Sequence, residues 1–523
     1  MPPAPPFAIK DLKPRAYQEA IAETAKKRSS LVVLPTGLGK TAISLIVAAD
    51  RLSKFPESQI LLLAPTRPLA SQHYSTFKKH FAGLEEEDFS LVTGEISQKK
   101  REGIWRAATI IFSTPQCVAN DVRAGKLSLE NFSFLIEDEA HRCIKNYDYT
   151  YVVKMYREQA SRALVLGLTA SPGSEQAKIN QICKNLGIEA VEVRTRESED
   201  VKRYIKELKT NVIKVGFPSR FVEIKERLNK ILAKRVEELR NRGLLYGKFA
   251  TKRTFIELQA KLMRISKGGN KHFHILRGIS LLTEIMKAQH LLELLETQTV
   301  YSVNKYLEGL EKEEKEAKSK AIKNLFGNVE FQLAITKIKK LVESGTEHPK
   351  LRVLLDVVKT EIKSGNKRMM IFAQYRDTVD KIHSELDKAG ISSRIFIGQS
   401  GERGLKQREQ QQVLREFSEG EISCLVSTSI GEEGLDIPEV GAVIFYEPIP
   451  SAIRRIQRAG RTARLQPGKL IMLITQKTRD ESYHWASYYK ERKMHGILRD
   501  MKDDFDRKEE ERQSKMQKSL GEF

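Results

Sequence analysis

A glycine-rich segment near the start of the chain carries the residue types that bind phosphate. The segment Leu34-Pro-Thr-Gly-Leu-Gly-Lys-Thr41 directly follows an apolar run, Leu31–Leu34, and opens a helical pattern. Its glycines let backbone N–H groups curl around a phosphate, and the N-terminus of the next helix adds positive charge. The lysine can reach the β- and γ-phosphates, and the threonine can ligate Mg²⁺. We therefore predict a site for ATP and Mg²⁺ formed by Pro35, Thr36, Gly37, Leu38, Gly39, Lys40 and Thr41.

An acidic turn supplies a second part of the same chemistry. The segment Ile136-Glu-Asp-Glu-Ala-His-Arg142 follows another apolar run. At the carboxyl end of a strand, Asp138 can hold Mg²⁺ and Glu139 can polarise the attacking water. His141 is a candidate link between the nucleotide and a second domain. Combined with Lys40, this turn predicts hydrolysis of a nucleoside triphosphate.

A basic segment far along the chain supplies charge for the transition state. In Ile453-Arg-Arg-Ile-Gln-Arg-Ala-Gly-Arg-Thr-Ala-Arg464, the two arginines Arg461 and Arg464 lie three positions apart, on one face of a helix. Arginines that reach across a cleft towards a γ-phosphate act as arginine fingers. The residues that we assign to catalysis are Lys40, Asp138, Glu139, Arg461 and Arg464, to which the motif resemblance given below adds Gln457.

Short apolar runs that alternate with helical stretches must hold these residues in place. They recur in two regions, residues 11–200 and 346–490, at Leu31–Leu34, Ile60–Ala64, Thr109–Phe112, Phe134–Ile136, Ala163–Leu166, Arg368–Ala373, Arg394–Ile397, Cys424–Val426, Val443–Tyr446 and Leu470–Ile474. Continuous apolar strands with helical crossovers predict parallel sheets that are covered on both faces. The predicted fold class is α/β, with two parallel-sheet domains.

Three other regions follow a different pattern. Residues 201–345 are rich in Lys, Glu and Leu, and their apolar residues have helical spacing, which predicts an inserted all-α domain. The Pro-rich residues 1–10 predict a disordered leader. Residues 491–523 are highly charged and predict an exposed helix that frays into a disordered tail.

Composition narrows the class of partner. The formal net charge is +22, which favours a polyanion such as nucleic acid. The four cysteines form no CxxC pair, which argues against a zinc site or a disulfide framework and favours a reducing, cytoplasmic location. No apolar run approaches the roughly 20 residues of a membrane span, so we expect no membrane association.

Several segments together resemble the motifs of DEAH-type superfamily-2 helicases. The matching segments are Leu12–Gln18, the loop around Lys40, Ala64–His73 (motif Ia), Ser113–Gln116 (Ib), Asp138–His141 (II), Leu168–Pro172 (III), Ser427–Asp436 (V) and Gln457–Arg464 (VI). The resemblance implies two RecA-like domains. It also implies that Gln18, Gly434 and Asp436 face the nucleotide. By the same resemblance, Arg67, Thr114 and Thr428 contact the nucleic-acid backbone, and Thr169 and Ser171 couple hydrolysis to domain motion.

The motif forms PTGLGKT, PTRPLA, DEAH, LTASP and EEGLDIP, with an insert of this size, most resemble archaeal Hef and the Fanconi-anaemia M translocase family over roughly residues 10–490. The resemblance implies an ATP-dependent DNA helicase or translocase that acts on branched DNA such as stalled replication forks in DNA repair, with the insert on the DNA. Many Hef proteins also carry a nuclease domain behind the motor, for which this chain ends too soon. We interpret Glu491-Arg-Lys493, which echoes that nuclease, as a chance match, so nuclease activity would need a separate partner.

The last seven residues, Gln517-Lys-Ser-Leu-Gly-Glu-Phe523, have the form QxxLxxF. This form resembles the peptide by which replication proteins bind the sliding clamp PCNA. Leu520 and Phe523 would enter an apolar pocket and Gln517 a polar one. The sequence thus predicts a clamp-binding motif in the tail.

Two alternatives remain open at this point. The motor motifs also fit an RNA-directed superfamily-2 ATPase, either an RNA helicase or a duplex-RNA translocase, because backbone contacts alone do not separate DNA from RNA. A catalytically inert scaffold is the other alternative, and the full set of catalytic residue types argues against it.

Overall fold

The computed structural model describes residues 7–247, 250–268, 272–316, 319–399, 401, 404–431, 437–463 and 466–520. The elements of the first part of the chain are β1 (Ala8–Ile9), α1 (Ala16–Lys27), β2 (Ser30–Val33), α2 (Lys40–Lys54), β3 (Gln59–Leu63), α3 (Arg67–His80), β4 (Phe81–Ala82), β5 (Phe89–Val92), α4 (Gln98–Ala107), β6 (Ile110–Ser113), α5 (Pro115–Arg123), β7 (Phe132–Asp138), α6 (Asp148–Gln159), β8 (Val165–Thr169), α7 (Gln176–Leu186), β9 (Ala190–Val193), α8 (Glu199–Lys202) and β10 (Leu208–Val215).

The remaining elements comprise an all-helical part and a second α/β part. They are α9 (Ser219–Asn241), α10 (Lys252–Lys267), α11 (Phe273–Thr297), α12 (Val300–Lys315), α13 (Lys320–Phe326), α14 (Val329–Glu343), α15 (Pro349–Lys363), β11 (Met369–Phe372), α16 (Arg376–Lys388), β12 (Ser393–Phe396), α17 (Gln407–Glu419), β13 (Cys424–Ser427), β14 (Ala442–Phe445), α18 (Ala452–Ala459), β15 (Gly468–Thr475) and α19 (Arg479–Leu520).

The first sheet has the strand order β5-β6-β3-β7-β8-β2-β9 among the described residues, and each pairing is parallel. Its strands are apolar on both sides and separate two hydrophobic cores, one under each layer of helices. Strands β2, β8 and β7 are neighbours, and β3 lies beside β7. Because parallel strands end at the same edge, the loops after them meet there. This arrangement confirms the predicted fold class for the first domain.

The second sheet, in the order β10-β15-β14-β11-β13-β12, is also parallel. Its first strand corrects the predicted domain boundary, because residues 208–215 were expected to belong to the helical insert. Strand β10 pairs over its full length with β15, and the helical insert begins only at Ser219. As an edge strand, β10 leaves Lys209, Thr210 and Asn211 exposed, so it lacks the continuous apolar run by which the other strands were predicted.

The insert consists of α9 to α14, with two hydrophobic cores of its own, and confirms the predicted all-α domain. A buried lysine of the second α/β domain contacts the insert. The Lys350 Nζ lies 2.8 Å from Asp480 Oδ2 in its own domain and donates to the Thr297 carbonyl at the end of α11 at 2.6 Å. Because a buried charge is costly unless it is paired and hydrogen-bonded, this contact helps to hold the insert to the second domain.

Helix α19 is the second correction, since a domain end at residue 490 and an exposed tail were expected. The helix runs through that position without a break and lies against the first domain. Its side chains at Met494, Ile497, Leu498 and Met501 are buried in one of the two cores of the first sheet. These residues have helical i, i+3, i+4, i+7 spacing, but the high average charge of the segment concealed it. The chain therefore returns from the second domain to the first.

The structure also shows part of the predicted leader and all four cysteines. Residues 1–6 lie outside the described residues, whereas Ala8–Ile9 form an antiparallel pair with β4 and Phe7 packs on Phe81. Residues 7–9 of the predicted leader are therefore ordered. All four cysteines are buried and free.

Candidate active site

The phosphate-binding segment is a turn between β2 and α2 at the carboxyl edge of the first sheet. Gly37 and Gly39 have φ values of 81° and 76°, in the left-handed region that glycine adopts without strain. Helix α2 begins at Lys40, so its first backbone N–H groups and the lysine side chain face the same loop. This geometry matches the predicted cradle for phosphate.

Two side chains from α1 hold this loop from behind. The Tyr17 hydroxyl donates to the Leu38 carbonyl at 2.7 Å, and Gln18 Nε2 donates to the same carbonyl at 3.0 Å. The other amide atom of Gln18 accepts from the backbone of Arg15. Gln18 therefore supports the loop in this structure, and its contact with adenine stays a prediction. Sequence reasoning missed Tyr17. Its position directly before Gln18 was the only signal that it could support the loop.

The acidic turn lies at the end of β7, two strands from the loop. His73 from α3 approaches Asp138, with its Nε2 3.0 Å from Asp138 Oδ2, and both residues are buried. Burial opposes the charge on Asp138, but the hydrogen bond and charge of His73, together with the charge of Lys40, outweigh it. They hold the pKa of the Asp138 carboxyl below its usual value. Lys40 is thus close enough to act on Asp138, and the binding of Mg²⁺ by Asp138 stays a prediction.

His73 was not singled out as a site residue, although it ends the segment matched to motif Ia. It lies on the helix that begins at Arg67, so one helix connects a predicted nucleic-acid contact with a predicted Mg²⁺ ligand. Hydrogen bonds of this kind orient a metal-binding carboxylate. A polar residue at helical spacing from Ala70 and Phe77, on the buried side of α3, was the available signal.

Glu139 follows Asp138 in a strained conformation. Its φ of 52° and ψ of 47° lie in the left-handed region, which costs a non-glycine residue about 1–3 kcal/mol. The His141 Nδ1 lies 3.2 Å from both Glu139 Oε2 and Thr169 Oγ1. Thr169 also accepts a hydrogen bond from the backbone of Ser171. The acidic turn and motif III therefore form one connected network.

Motif III is also in contact with α19. The Ser171 hydroxyl donates to the sulfur of Met494 at 3.0 Å, and both residues are buried. Since α19 begins in the second domain, this contact joins the coupling segment of the first domain to a helix rooted in the other. Sequence reasoning could not find it, because 323 positions separate the two residues.

The second domain brings α18 against the phosphate loop. Gly460, at the end of α18, lies so close to Thr36 that a Cβ atom at this glycine would be 1.5 Å from the threonine hydroxyl oxygen. Arg461 follows, is largely buried, and donates from Nε to the Gly431 carbonyl at 3.0 Å. The two domains therefore meet at the loop, as the prediction of a shared cleft requires. Arg464, Gly434 and Asp436 lie outside the described residues.

Gln457 and Thr428 share a cavity of about 620 Å³ between the domains. From the first domain, Thr66, His141 and Arg142 line it. His141 thus faces the cavity between the domains, and its role as a link between the nucleotide and the second domain stays a prediction. The predicted catalytic Gln457 and the predicted backbone contact Thr428 face one space.

The remaining predicted nucleic-acid contacts lie at the same edge of the first sheet. Arg67 opens α3 after β3 and forms an ion pair with Glu95. Thr114 precedes α5 after the adjacent strand β6. Arg67 also lines a groove of about 660 Å³ whose other wall is α17 of the second domain. A backbone held in this groove would contact both domains.

No helix in the described parts of the chain combines the length and the apolar character needed to cross a membrane.

Family comparisons agree with this architecture. Residues 15–179 match the family "DEAD/DEAH box helicase", residues 220–345 match "Putative ATP-dependent RNA helicase, helical bundle", and residues 349–466 match "Helicase conserved C-terminal domain". The three matches correspond to the first sheet, the helical insert and the second sheet.

Individual relatives are similar over most of the chain. A protein of Methanocaldococcus jannaschii named "Putative ATP-dependent RNA helicase" is 40% identical over 94% of this chain and 61% of its own length. The ATP-dependent DNA helicase mph1 of Neurospora crassa is 30% identical over 90% of this chain and 42% of its own length. The chain therefore spans about three fifths of the archaeal relative and less than half of the fungal one.

A solved structure covers nearly the same extent. The crystal structure of the Pyrococcus furiosus Hef helicase domain is 40% identical to this chain, with a TM-score of 0.69. The match covers 91% of this chain and 98% of that domain. The chain thus belongs to the DEAD/DEAH-box helicases, in the family of the Hef helicase domain.

Proposed function

We propose that this protein is an ATP-dependent helicase or translocase that moves along DNA and acts on branched structures such as stalled replication forks during repair. One observation carries the motor part of this proposal: the end of α18 in the second domain lies against Thr36 in the phosphate loop of the first. Each domain supplies part of one site. One cycle of ATP hydrolysis therefore requires the domains to meet, and they can separate afterwards.

The residues of the cleft suit phosphoryl transfer to water. Lys40 from the phosphate loop and Arg461 from the second domain would both direct positive charge to the γ-phosphate and neutralise charge that develops there. Glu139 accepts a hydrogen bond from the attacking water and orients it. Thr41 and Asp138 would hold Mg²⁺, which supplies further charge neutralisation on the phosphate oxygens when bound. Arg464 is proposed as the second arginine of the site.

DNA is favoured as the track by the names of the relatives. The fungal relatives are DNA helicases by name, and the similar crystal structure is the Hef helicase domain. The groove of Arg67 and α17 would hold the backbone, so binding should weaken steeply with salt and depend little on sequence.

The decisive measurement is the rate of ATP hydrolysis with forked DNA and with duplex RNA of equal length. We expect stronger stimulation by the fork. Stronger stimulation by RNA would overturn the DNA assignment and favour an RNA-directed ATPase. That second candidate has one specific observation behind it, since the archaeal relative and the family matched by the insert carry RNA helicase names.

The insert is proposed to provide the preference for branched DNA. Replacing residues 219–343 by a short linker leaves β10 in its sheet, so nucleotide binding by the first domain should persist. The preference for forks over plain duplex should disappear. A preserved preference would assign branch recognition to the two α/β domains instead.

Partner contacts of the C-terminal segment are also proposed. The clamp-binding motif would use Gln517, Leu520 and Phe523. The side chains of all three residues lie outside what the structure describes. Deleting residues 517–523 should abolish binding to PCNA and preserve ATP hydrolysis, and a wild-type protein that fails to bind PCNA would refute the motif. A separate nuclease is a further proposed partner, since Glu491, in the segment that echoes a nuclease, is paired with Arg455 at 3.0 Å. We place the protein in the cytoplasm.

A further inference from the structure

The exposed face of α19 carries aromatic side chains that the cleft does not use. Trp485, Tyr488 and Tyr489 are 52%, 42% and 61% exposed, and we call these three residues the aromatic stripe. Their ring centroids lie 5.8 to 6.1 Å apart, so the three rings form one continuous surface. Large aromatic side chains grouped on a surface mark an interaction site more often than scattered ones do.

The helix under this stripe is held firmly. On its other sides, the Tyr483 hydroxyl donates to Glu293 at 3.2 Å and Arg479 donates to the Gln289 carbonyl at 3.0 Å, both on α11 of the insert. Two turns further on, Lys490 donates to the Pro450 carbonyl at 2.8 Å and Glu491 pairs with Arg455 of α18. A site on a helix fixed in this way keeps its geometry better than one on a loop.

Positive charge continues the same face. Arg492 and Lys493 follow Tyr489 by three and four positions and are exposed. Side chains at this spacing lie on one side of a helix. The face therefore offers aromatic rings followed by two cations, which is the combination that binds single-stranded nucleic acid through base stacking and phosphate contacts.

The stripe lies near the place where the insert and the first domain approach each other. Glu175 follows motif III, and its ion pair with Lys178 lowers the pKa of its carboxyl. The charges of Arg253 on α10 and of Lys490 beside the stripe lower it further. Charged groups of the insert, the first domain and α19 are therefore close enough to act on one carboxylate beside the stripe.

We propose that the aromatic stripe is a stacking platform for the unpaired bases of single-stranded DNA, with Arg492 and Lys493 on the adjoining phosphates. The proposal rests on DNA being the track of the motor, and it adds a separate contact for a strand that has lost its partner. A second copy of this chain is a poorer occupant. Packing about a twofold axis would bring the same cations of both copies together.

Intrinsic fluorescence tests the proposal directly, because the chain has two tryptophans and the other, Trp105, is buried. Titration of the full chain with a single-stranded oligo-dT should quench the emission of Trp485. The variant Trp485→Phe should lose the quenching and keep the affinity, measured by anisotropy of labelled DNA, since phenylalanine still offers a ring. Absence of quenching at saturating oligo-dT in the wild type would refute stacking on this helix.

Affinity tests the same surface independently. Changing all three rings to alanine should weaken oligo-dT binding by roughly 10- to 100-fold, whereas changing all three to phenylalanine should preserve it. The pair Arg492→Gln and Lys493→Gln should reduce the slope of log affinity against log salt by about 1.4 in total. Wild-type affinity in the alanine variant would overturn the proposal.

ATP hydrolysis distinguishes a failure of the stacking platform from a failure of the proposed motor function. ATP hydrolysis stimulated by plain duplex DNA should be preserved in the alanine variant, which shows that the motor is intact. If no DNA stimulates even the wild type, the proposed function fails; if DNA does so and the alanine variant binds oligo-dT normally, only the stacking platform fails. Self-association of the wild type that the alanine variant abolishes, measured by analytical ultracentrifugation without DNA, would assign the stripe to a protein interface and overturn the platform.

Discussion

Substituting Gly460 by alanine tests whether hydrolysis requires the contact between the two domains. An added Cβ would lie 1.5 Å from Thr36 Oγ1 and 2.7 Å from Thr36 Cβ, whereas ordinary contact begins at 3.4 Å. Rotation of the threonine side chain could move the hydroxyl away, but Cβ stays fixed to the loop. The domains would then still have to separate by roughly 0.7 Å, or by about 1.9 Å without that rotation.

The second domain itself should tolerate this change. Gly460 has a φ of −69°, which any residue adopts, and the nearest atom of its own domain is the Ile456 carbonyl oxygen at 3.2 Å. The unfolding midpoint of the variant should therefore stay close to that of the wild type. Nucleotide binding by the loop around Lys40 should also persist.

The rate of hydrolysis should respond strongly. A displacement of about 1 Å between reacting groups can reduce the rate about 100-fold, and we expect a fall of this order in kcat. Measurement of DNA-stimulated ATP hydrolysis at saturating ATP gives this value. The matched control is Gly103→Ala on α4, where no atom lies within 4 Å of the added Cβ and kcat should be unchanged.

A double variant identifies the cause. Thr36→Gly removes both atoms that the new methyl group would meet, so Gly460→Ala should cost only a few-fold when Thr36 is already glycine. Two results would refute the reasoning: a wild-type kcat in Gly460→Ala, or a 100-fold loss that is as large with glycine at position 36. Either would mean that catalysis does not depend on this approach of the domains.

Three other predictions follow from the site and the core. Arg461→Ala should reduce kcat by about 10³-fold or more and preserve ATP binding, measured by equilibrium titration, because an arginine finger acts on the transition state; unchanged kcat would remove it from the site. Tyr17→Phe should weaken nucleotide binding about fivefold, since one hydrogen bond of roughly 1 kcal/mol to the Leu38 carbonyl is lost; the same titration checks it, with no change contradicting the support role of Tyr17. Burial, opposed by the charges of Lys350 and Arg458, raises the pKa of Glu447 to about 7. Because this folded pKa lies above the unfolded one, the stability from Glu447 is present below about pH 4.5 and is lost as the pH rises to about 7. In the wild type, the free energy of unfolding should therefore fall by about 3 kcal/mol as Glu447 ionises, and Glu447→Gln should abolish this fall. The urea midpoint of the variant should then decrease less between about pH 5 and about pH 8 than that of the wild type; equal decreases in both proteins would contradict the prediction.

The sequence predicted the sheets where strands are buried on both sides. The run Ile60–Ala64 became β3 and Cys424–Val426 became β13, within one residue at each end. The edge strand β10 escaped prediction because the exposed polar residues Lys209, Thr210 and Asn211 interrupt the apolar pattern of LKTNVIKV. Helix α19 was predicted as a helix, but the partner of its apolar residues was not, since a helical pattern identifies an apolar face and not the surface that covers it.

The chemistry of the site was also local enough to predict. Gly37, Gly39, Lys40 and Asp138 lie in short segments whose residue types and spacing already indicate a phosphate loop and an acidic turn. The supporting residues Tyr17 and His73 were within quoted segments, but nothing in those segments shows which atoms they reach. His73 on Asp138 requires the angle at which α3 crosses the sheet.

By itself, the sequence determined the identity of the reacting groups, because turns, strands and helix starts depend on residues a few positions apart. The tertiary structure alone decided which distant groups meet: Gly460 against Thr36, Met494 against Ser171, and Lys350 between Thr297 and Asp480. These contacts join residues up to 424 positions apart. They arise from the packing of whole domains, whose free energy is summed over many buried side chains and is not encoded in any one segment.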